Sequence, residues 1–221
     1  MEQGWYDLLF AHWRFSPQRI RELVPPELEI DTFGGEAWIS IASFRLRLRP
    51  RGLFAMGKLW VFPELNCRTY VRFRGQDGIF FFSLDAGSLA AVLGARAFFH
   101  VPYFHSRMRI AREGSQVRFK SERRFSSASF LAEYRPISAV DPAAPGSLEH
   151  WLTERYCFFT AVRGTVFRTD IQHVPWPMQK AEAEISVNTI GKAAGLSLEG
   201  PPALVGYVEQ QEVLVWPLRR A

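Results

Sequence analysis

The run Pro63-Glu64-Leu65-Asn66-Cys67-Arg68-Thr69-Tyr70-Val71-Arg72 decides how this chain is read. Successive side chains of an extended strand point to opposite faces. Glu64, Asn66, Arg68, Tyr70 and Arg72 then share one face, and Leu65, Cys67, Thr69 and Val71 share the other. The second is an ordinary core face. The first is a row of acid, amide, guanidinium and phenol, which suits the wall of a polar pocket or a solvated face carrying structural Glu–Arg pairs.

Working outward, residues 8–15 read as a first strand. Ser16-Pro17 supplies an N-cap and a first-turn proline, so a short helix runs to Val24, and Pro25-Pro26 ends it. Residues 28–32 are extended, Gly34-Gly35 is a tight turn, and residues 37–48 alternate as a strand with one wet face. Residues 50–58 read as a loop. The Glu64 strand reaches about Arg74, and Gly75-Gln76-Asp77-Gly78 turns the chain. Residues 79–84 are apolar on both faces and therefore central.

Asp85 then serves as the cap of a helix over 87–98 that buries Leu89, Val92, Leu93 and Arg96-Ala97 as a stripe. Three strands follow over 106–134, then a Pro/Ala/Gly linker, then a helix capped by Ser147 and running to about Tyr156. Strands around Gly164, a rigid bend over 173–177, an extended piece over 181–187 and a helical turn over 188–194 come next. Two strands, 204–209 and 212–216, close the chain.

Many strands with few short helices predict an α+β, mostly antiparallel single domain over residues 1–221. The strand count suits a highly curved sheet or barrel able to enclose a cavity. A hydrophobic content of 48% against 22% charged residues fits a packed core and argues against disorder. The formal charge of +5 rests on arginines spread along the chain, which reads as a solvated surface and leaves nucleic-acid binding the weaker alternative. Cys67 and Cys157 form no metal-spaced or CxxC set, and no basic leader or bilayer-length apolar run is present, so a cytoplasmic location is expected. No cofactor or metal is called for, and homo-oligomerisation stays open. Nucleophile-elbow, phosphate-loop, dinucleotide and zinc strings are missing.

Several strings together carry a family likeness. They are His12-Trp13-Arg14-Phe15, Leu23-Val24-Pro25, the run Phe62 to Val71, Ala95-Arg96 followed by Val101-Pro102-Tyr103, Trp151-Leu152-Thr153-Glu154-Arg155-Tyr156, and His173-Val174-Pro175-Trp176-Pro177. In this order the chain resembles the YqjF-like family of bacterial proteins of unknown function along nearly its whole length. That family looks like a distant member of the acetoacetate decarboxylase-like fold. The resemblance implies a cone-shaped or closed antiparallel β-barrel with a central cavity and a few short flanking helices.

The decarboxylase chemistry needs a lysine of depressed pKa that forms a Schiff base. In those enzymes it follows a proline after a short helix. Here Tyr103 and Phe104 stand after Pro102, and Lys58, Lys120, Lys180 and Lys192 lie elsewhere. Schiff-base decarboxylation is therefore not expected. The acidic strand residue of that mechanism has its counterpart in Glu64.

The candidate catalytic residues are Glu64, to take or give a proton, and Arg68, to receive a carboxylate or enolate oxygen. Asn66, Tyr70, Arg96, Tyr103, Arg155, His173 and Trp176 are the candidate ligand-binding residues. Each has a structural alternative: Tyr103 as a rim phenol, Arg96 as a helix-end cation, Arg155 on a docking helix anchored by Trp151, and His173 with Trp176 as a packing bend. The expected ligand is a small acidic or carbonyl compound. The function is either a lyase, hydratase or isomerase without a Schiff base, or a non-catalytic binding protein; a basic nucleic-acid or protein-interaction module is the third class.

Overall fold

A computed structural model describes residues 1–49 and 60–221. The loop read at 50–58, with Lys58, lies outside the described residues. The chain runs β1 (Glu2–Phe15), α1 (Pro17–Arg21), β2 (Glu29–Ile30), β3 (Ala37–Arg49), β4 (Trp60–Phe73), β5 (Gln76–Ala86), α2 (Leu89–Phe99), β6 (Tyr103–Glu113), β7 (Gln116–Arg123), β8 (Ser129–Pro136), α3 (Leu148–Thr153), β9 (Cys157–Val162), β10 (Thr165–Gln172), β11 (Gln179–Asn188), α4 (Ile190–Ala193), β12 (Leu204–Val215) and β13 (Arg219–Arg220). It is a mostly-strand structure with a few short helices.

The strands form one sheet, ordered β13-β10-β9-β5-β6-β7-β8-β11-β12-β1-β3-β4-β2, with further pairings of β4 with β5 and of β10 with β12. Pairings are antiparallel except those of β5 with β6 and with β9. β5, apolar on both faces, has β4 along one edge and β6 and β9 sharing the other, which makes it central as its sequence demands.

Two apolar cores lie on opposite faces of β1, β3 and β4. One gathers Leu9, Ala11, Ile39, Ile41, Leu65 and Cys67 with Phe119 and Phe130. The other gathers Trp5, Leu8, Phe10, Ala42, Phe44 and Tyr70 with Val92, Leu152 and Trp176. β1 serves both by alternation, and a bulge resets its phase: the register against β3 shifts between Tyr6 and Leu9, so Trp5 before it and Leu8 and Phe10 after it reach the same core. Asp7 sits in the bulge at φ 53, a conformation that Asp tolerates better than most residues. Its buried carboxylate takes Arg45 and, at 3.0 Å, Arg112.

Three expectations are corrected. Asp85 does not cap α2; Ser88 does, its Oγ accepting from Ala91 N at 3.3 Å, because Asp85 is buried in a bidentate pair with Arg123 at 2.7 and 2.8 Å. The stripe α2 buries is not Leu89, Leu93 and Arg96, which are exposed. It is Val92, with Ala91, Ala95 and Phe99 packed beside it, since the helix docks on β5 and β6 through that face. The final two strands are one: Gln210 and Gln211 continue the ladder opposite Tyr6 and Trp5.

Candidate functional site

Antiparallel pairing on both sides of β4 sets the site. Glu64 lies between Phe44 and Ala86, Asn66 between Ala42 and Leu84, and Arg68 between Ser40 and Phe81. The β4–β5 register shifts between Cys67 and Arg68, so β5 skips Phe82 there and keeps Phe81 beside Arg68. Glu64, Asn66, Arg68 and Tyr70 thus share the face that carries Phe10, Phe44, Trp176 and the helices α2 and α3, and all four are buried.

Glu64 is 5% exposed, and the Tyr103 hydroxyl donates to its Oε2 at 2.8 Å. Loss of water raises the Glu64 carboxyl to about 7; the Tyr103 hydrogen bond opposes that rise and the Asp85 charge adds to it. Near neutral pH this group holds both protonation states in comparable amounts, as a proton donor and acceptor must. Burial and the facing carboxylate hold the Tyr103 phenol well above its ordinary range, so it stays a donor.

Arg68 is 4% exposed and its guanidinium carbon lies 5.2 Å from the centre of the Phe10 ring. No carboxylate pairs with it among the described residues, and its Nε has no hydrogen-bond partner. Burial and the neighbouring Arg155 charge both disfavour its cation, and the Tyr70 phenol favours it. Asn66 Oδ1, on the same face, also lacks a partner. A buried cation with spare donors is an arrangement that an anion completes.

Arg155, by contrast, is paired. Its Nη1 donates to Asp31 Oδ2 at 2.7 Å and its Nε to Trp151 O at 2.7 Å, while its carbon lies over the Tyr70 and Trp151 rings at 5.1 and 4.3 Å. Only its Nη2 lacks a partner. Asp31 also receives Arg72 Nη2 at 3.3 Å. Trp176 is buried against Phe10, rings edge to face at 5.4 Å, and its indole N–H donates to Thr153 O at 3.0 Å. His173 stacks on Tyr156 at 4.6 Å and lies 4.7 Å from Trp176, with Nδ1 at 2.9 Å from Val174 O; the hydrogen bond that reaches Glu64 comes from Tyr103 instead. Arg96 is exposed on α2, its Nε donating to Tyr103 O at 2.6 Å.

The structure therefore brings Glu64 to Tyr103, sets Asn66, Arg68 and Tyr70 along one face, and ties Arg155 to Asp31 beside them. It adds His12 and Ser40, which sequence reasoning did not single out. His12 Nδ1 is 2.6 Å from Ser40 Oγ, which is 2.5 Å from Tyr70 Oη. The sequence signals are a polar residue at an alternate position inside a long apolar run and, for His12, its place in the string His12-Trp13-Arg14-Phe15. An open cleft of about 460 Å³ lies where β6 and β9 diverge along β5, lined by Phe80, Phe81, Phe82, Val101, Pro102 and Phe159 among others. Glu64 and Arg68 are not in its wall, but Phe81, the cross-strand neighbour of Arg68, is. Among the described residues no group of three His, Cys, Asp or Glu side chains is placed to hold a metal, and no helix is long and apolar enough to cross a membrane.

Comparison with known proteins follows the same outline. The family model DUF2071, described as an uncharacterized conserved protein, matches residues 2–212. The uncharacterized protein YqjF of Bacillus subtilis (strain 168) is 49% identical over 222 residues, covering 100% of this chain and 92% of that one. The enduracididine biosynthesis enzyme MppR, complexed with pyruvate, superposes with a TM-score of 0.69 at 12% identity, covering 99% of this chain and 89% of that one. Acetoacetate decarboxylase from Legionella pneumophila gives a TM-score of 0.62 at 12% identity, covering 100% and 87%. At these identities the two structures share the fold with this chain.

Proposed function

The chain belongs to the DUF2071 family of uncharacterized conserved proteins, and we propose that it takes a small carboxylate bearing a carbonyl group between Arg68 and the Glu64–Tyr103 pair. In this reading the protein is a single cytoplasmic domain, a cone-shaped barrel whose interior chamber is walled by Phe10, Phe44, Tyr70 and Trp176. The observation that carries the reading is Arg68: a guanidinium 4% exposed, without a carboxylate partner among the described residues, on the same strand face as an acid raised to about 7. A carboxylate on Arg68 neutralises that charge with charge-assisted hydrogen bonds. Asn66 and the free Nη2 of Arg155 supply further polar contacts. The pyruvate named with MppR supports this choice of ligand class.

With the carboxylate so held, Glu64 takes a proton from the carbon next to the carbonyl, and the Tyr103 hydroxyl, released by the now protonated Glu64, turns its single proton to the oxygen on which charge develops. The chemistry is proton transfer of a lyase, hydratase or isomerase. Tyr103, standing after Pro102 with its phenol hydrogen-bonded to Glu64, supports a route without a Schiff base. The same pairing also favours a second reading, a binding protein that holds the ligand without turnover.

Pyruvate in deuterium oxide separates them. The enzyme reading expects methyl protons of pyruvate to exchange faster with protein than without, exchange lost in Glu64→Gln, and binding lost in Arg68→Met. Binding without exchange leaves the second reading. No binding by calorimetry at millimolar pyruvate removes both.

A further inference from the structure

Beside Arg68 runs a hydrogen-bond chain that the proposed reaction does not itself use. His12 pairs with Ser40, and Ser40 with Arg68, in one row across β1, β3 and β4. His12 Nδ1, Ser40 Oγ and Tyr70 Oη form a triangle with sides of 2.6, 2.5 and 3.5 Å. All three residues are buried, so the groups satisfy one another in place of water. The Tyr70 ring is held by Trp151 at 4.6 Å and by the Arg155 guanidinium at 5.1 Å, which fixes where its oxygen sits.

Such a chain can run in either direction, because each hydroxyl both donates and accepts. The unpaired charge of Arg68 selects one. That charge acts directly on the Tyr70 phenol, and a hydroxyl beside a cation turns its lone pairs inward and its proton away. The Tyr70 proton then goes to Ser40 or His12, the Ser40 proton goes to His12 Nδ1, and the imidazole carries its single proton on Nε2. An imidazole with no charge suits this end of the chain: burial first, and Arg68 second, press His12 down to about 3.

We propose that His12, Ser40 and Tyr70 are positioning residues, a one-way hydrogen-bond chain that presents the Tyr70 oxygen to Arg68 and leaves the guanidinium's other N–H groups for the ligand carboxylate. This rests on the reading of Arg68 as an anion site. A purely structural triangle has no need of a direction, so direction is the property to measure.

Long-range proton–nitrogen NMR on labelled protein at pH 7, with His12→Gln used to identify the signal, reports which ring nitrogen of His12 bears the proton. The expected result is a neutral ring protonated at Nε2. In parallel, calorimetry with pyruvate is expected to show binding weakened about tenfold, the worth of a hydrogen bond to a charged group, in Tyr70→Phe and in Ser40→Ala, with Ser40→Thr restoring it. A proton on Nδ1 with intact pyruvate binding overturns the chain and leaves Arg68 as an anion site. Pyruvate binding unchanged in Tyr70→Phe overturns the positioning role. No binding by the unaltered protein overturns the Arg68 reading, and the positioning role with it, whatever the tautomer. Should Ser40→Ala fail to fold, the tautomer in the unaltered protein and the Ser40→Thr titration still decide.

Discussion

Arg68→Met is expected to leave the protein about as stable as before. The unaltered residue buries a full charge without a carboxylate among the described residues, and its Nε has no partner. Burying an ion costs several kcal/mol after relaxation, say about 4. Against this stand the Phe10 ring at 5.2 Å, whose attraction for a desolvated guanidinium is about 2 kcal/mol, and the Tyr70 phenol, whose hydrogen bond to the cation is worth about 2 kcal/mol. The two sides balance to within about 1 kcal/mol, so methionine filling the same space without charge changes stability little. For a chain of this length each kcal/mol moves the melting temperature by roughly 2–4 °C, so a shift of less than about 4 °C is expected. Arg155→Met provides the contrast. Arg155 and Asp31 are a buried pair at 2.7 Å, and removing one partner strands the other at a cost of about 3–5 kcal/mol. Urea unfolding followed by tryptophan fluorescence measures both. If Arg68→Met loses stability on the scale of Arg155→Met, the guanidinium is already satisfied by the fold and the vacancy inferred for an anion does not exist.

Glu64 gives the protein a pH signature. Its folded pKa of about 7 lies above the ordinary value of 4.5, so the folded state holds the proton more tightly than the unfolded chain. The stability is full below about pH 4.5, falls by about 1.4 kcal/mol per unit as the pH rises towards 7, and levels off above it. Glu64→Gln should abolish that slope, about 3 kcal/mol in all, in urea titrations at successive pH values. Tyr103→Phe removes the hydrogen bond that favours the carboxylate, so the levelling point should move above 7; an unmoved point contradicts the pairing. Asp85→Asn strands the buried Arg123 and should cost about 3–5 kcal/mol. It should also lower the Glu64 titration, because the Asp85 charge helps to raise it.

Local signals sufficed where a side chain's role depends on its nearest neighbours in the chain. The alternation along β4 places Glu64, Asn66, Arg68 and Tyr70 on one face, where the structure buries them, and the proline before Tyr103 marks the place from which the Glu64 hydrogen bond comes. Position within the sheet was harder. Asp85 looked like a helix cap because Ser88 and the helix follow it, but Arg123, 38 residues later, claims its carboxylate. The phase of α2 was misjudged since Leu89 and Leu93 are more apolar than the alanines that actually face β5 and β6. His12 and Ser40 join the site only through the register of three strands, and that register passes a bulge at Asp7 that reverses which residues of β1 face it. The helix pattern leaves Arg155 between a ligand-binding role and a docking helix; that Asp31, 124 residues away, already holds it lies beyond what a helix pattern shows.

The claim on which the account turns is an anion vacancy at Arg68. Its most direct measurement is a crystal structure of the protein soaked with pyruvate. The account predicts a carboxylate bridged to Arg68, with the keto oxygen within hydrogen-bond distance of Tyr103 or Glu64. Crystals in which side chains alone fill the space around Arg68, with pyruvate absent from that face at saturating concentration, would contradict it.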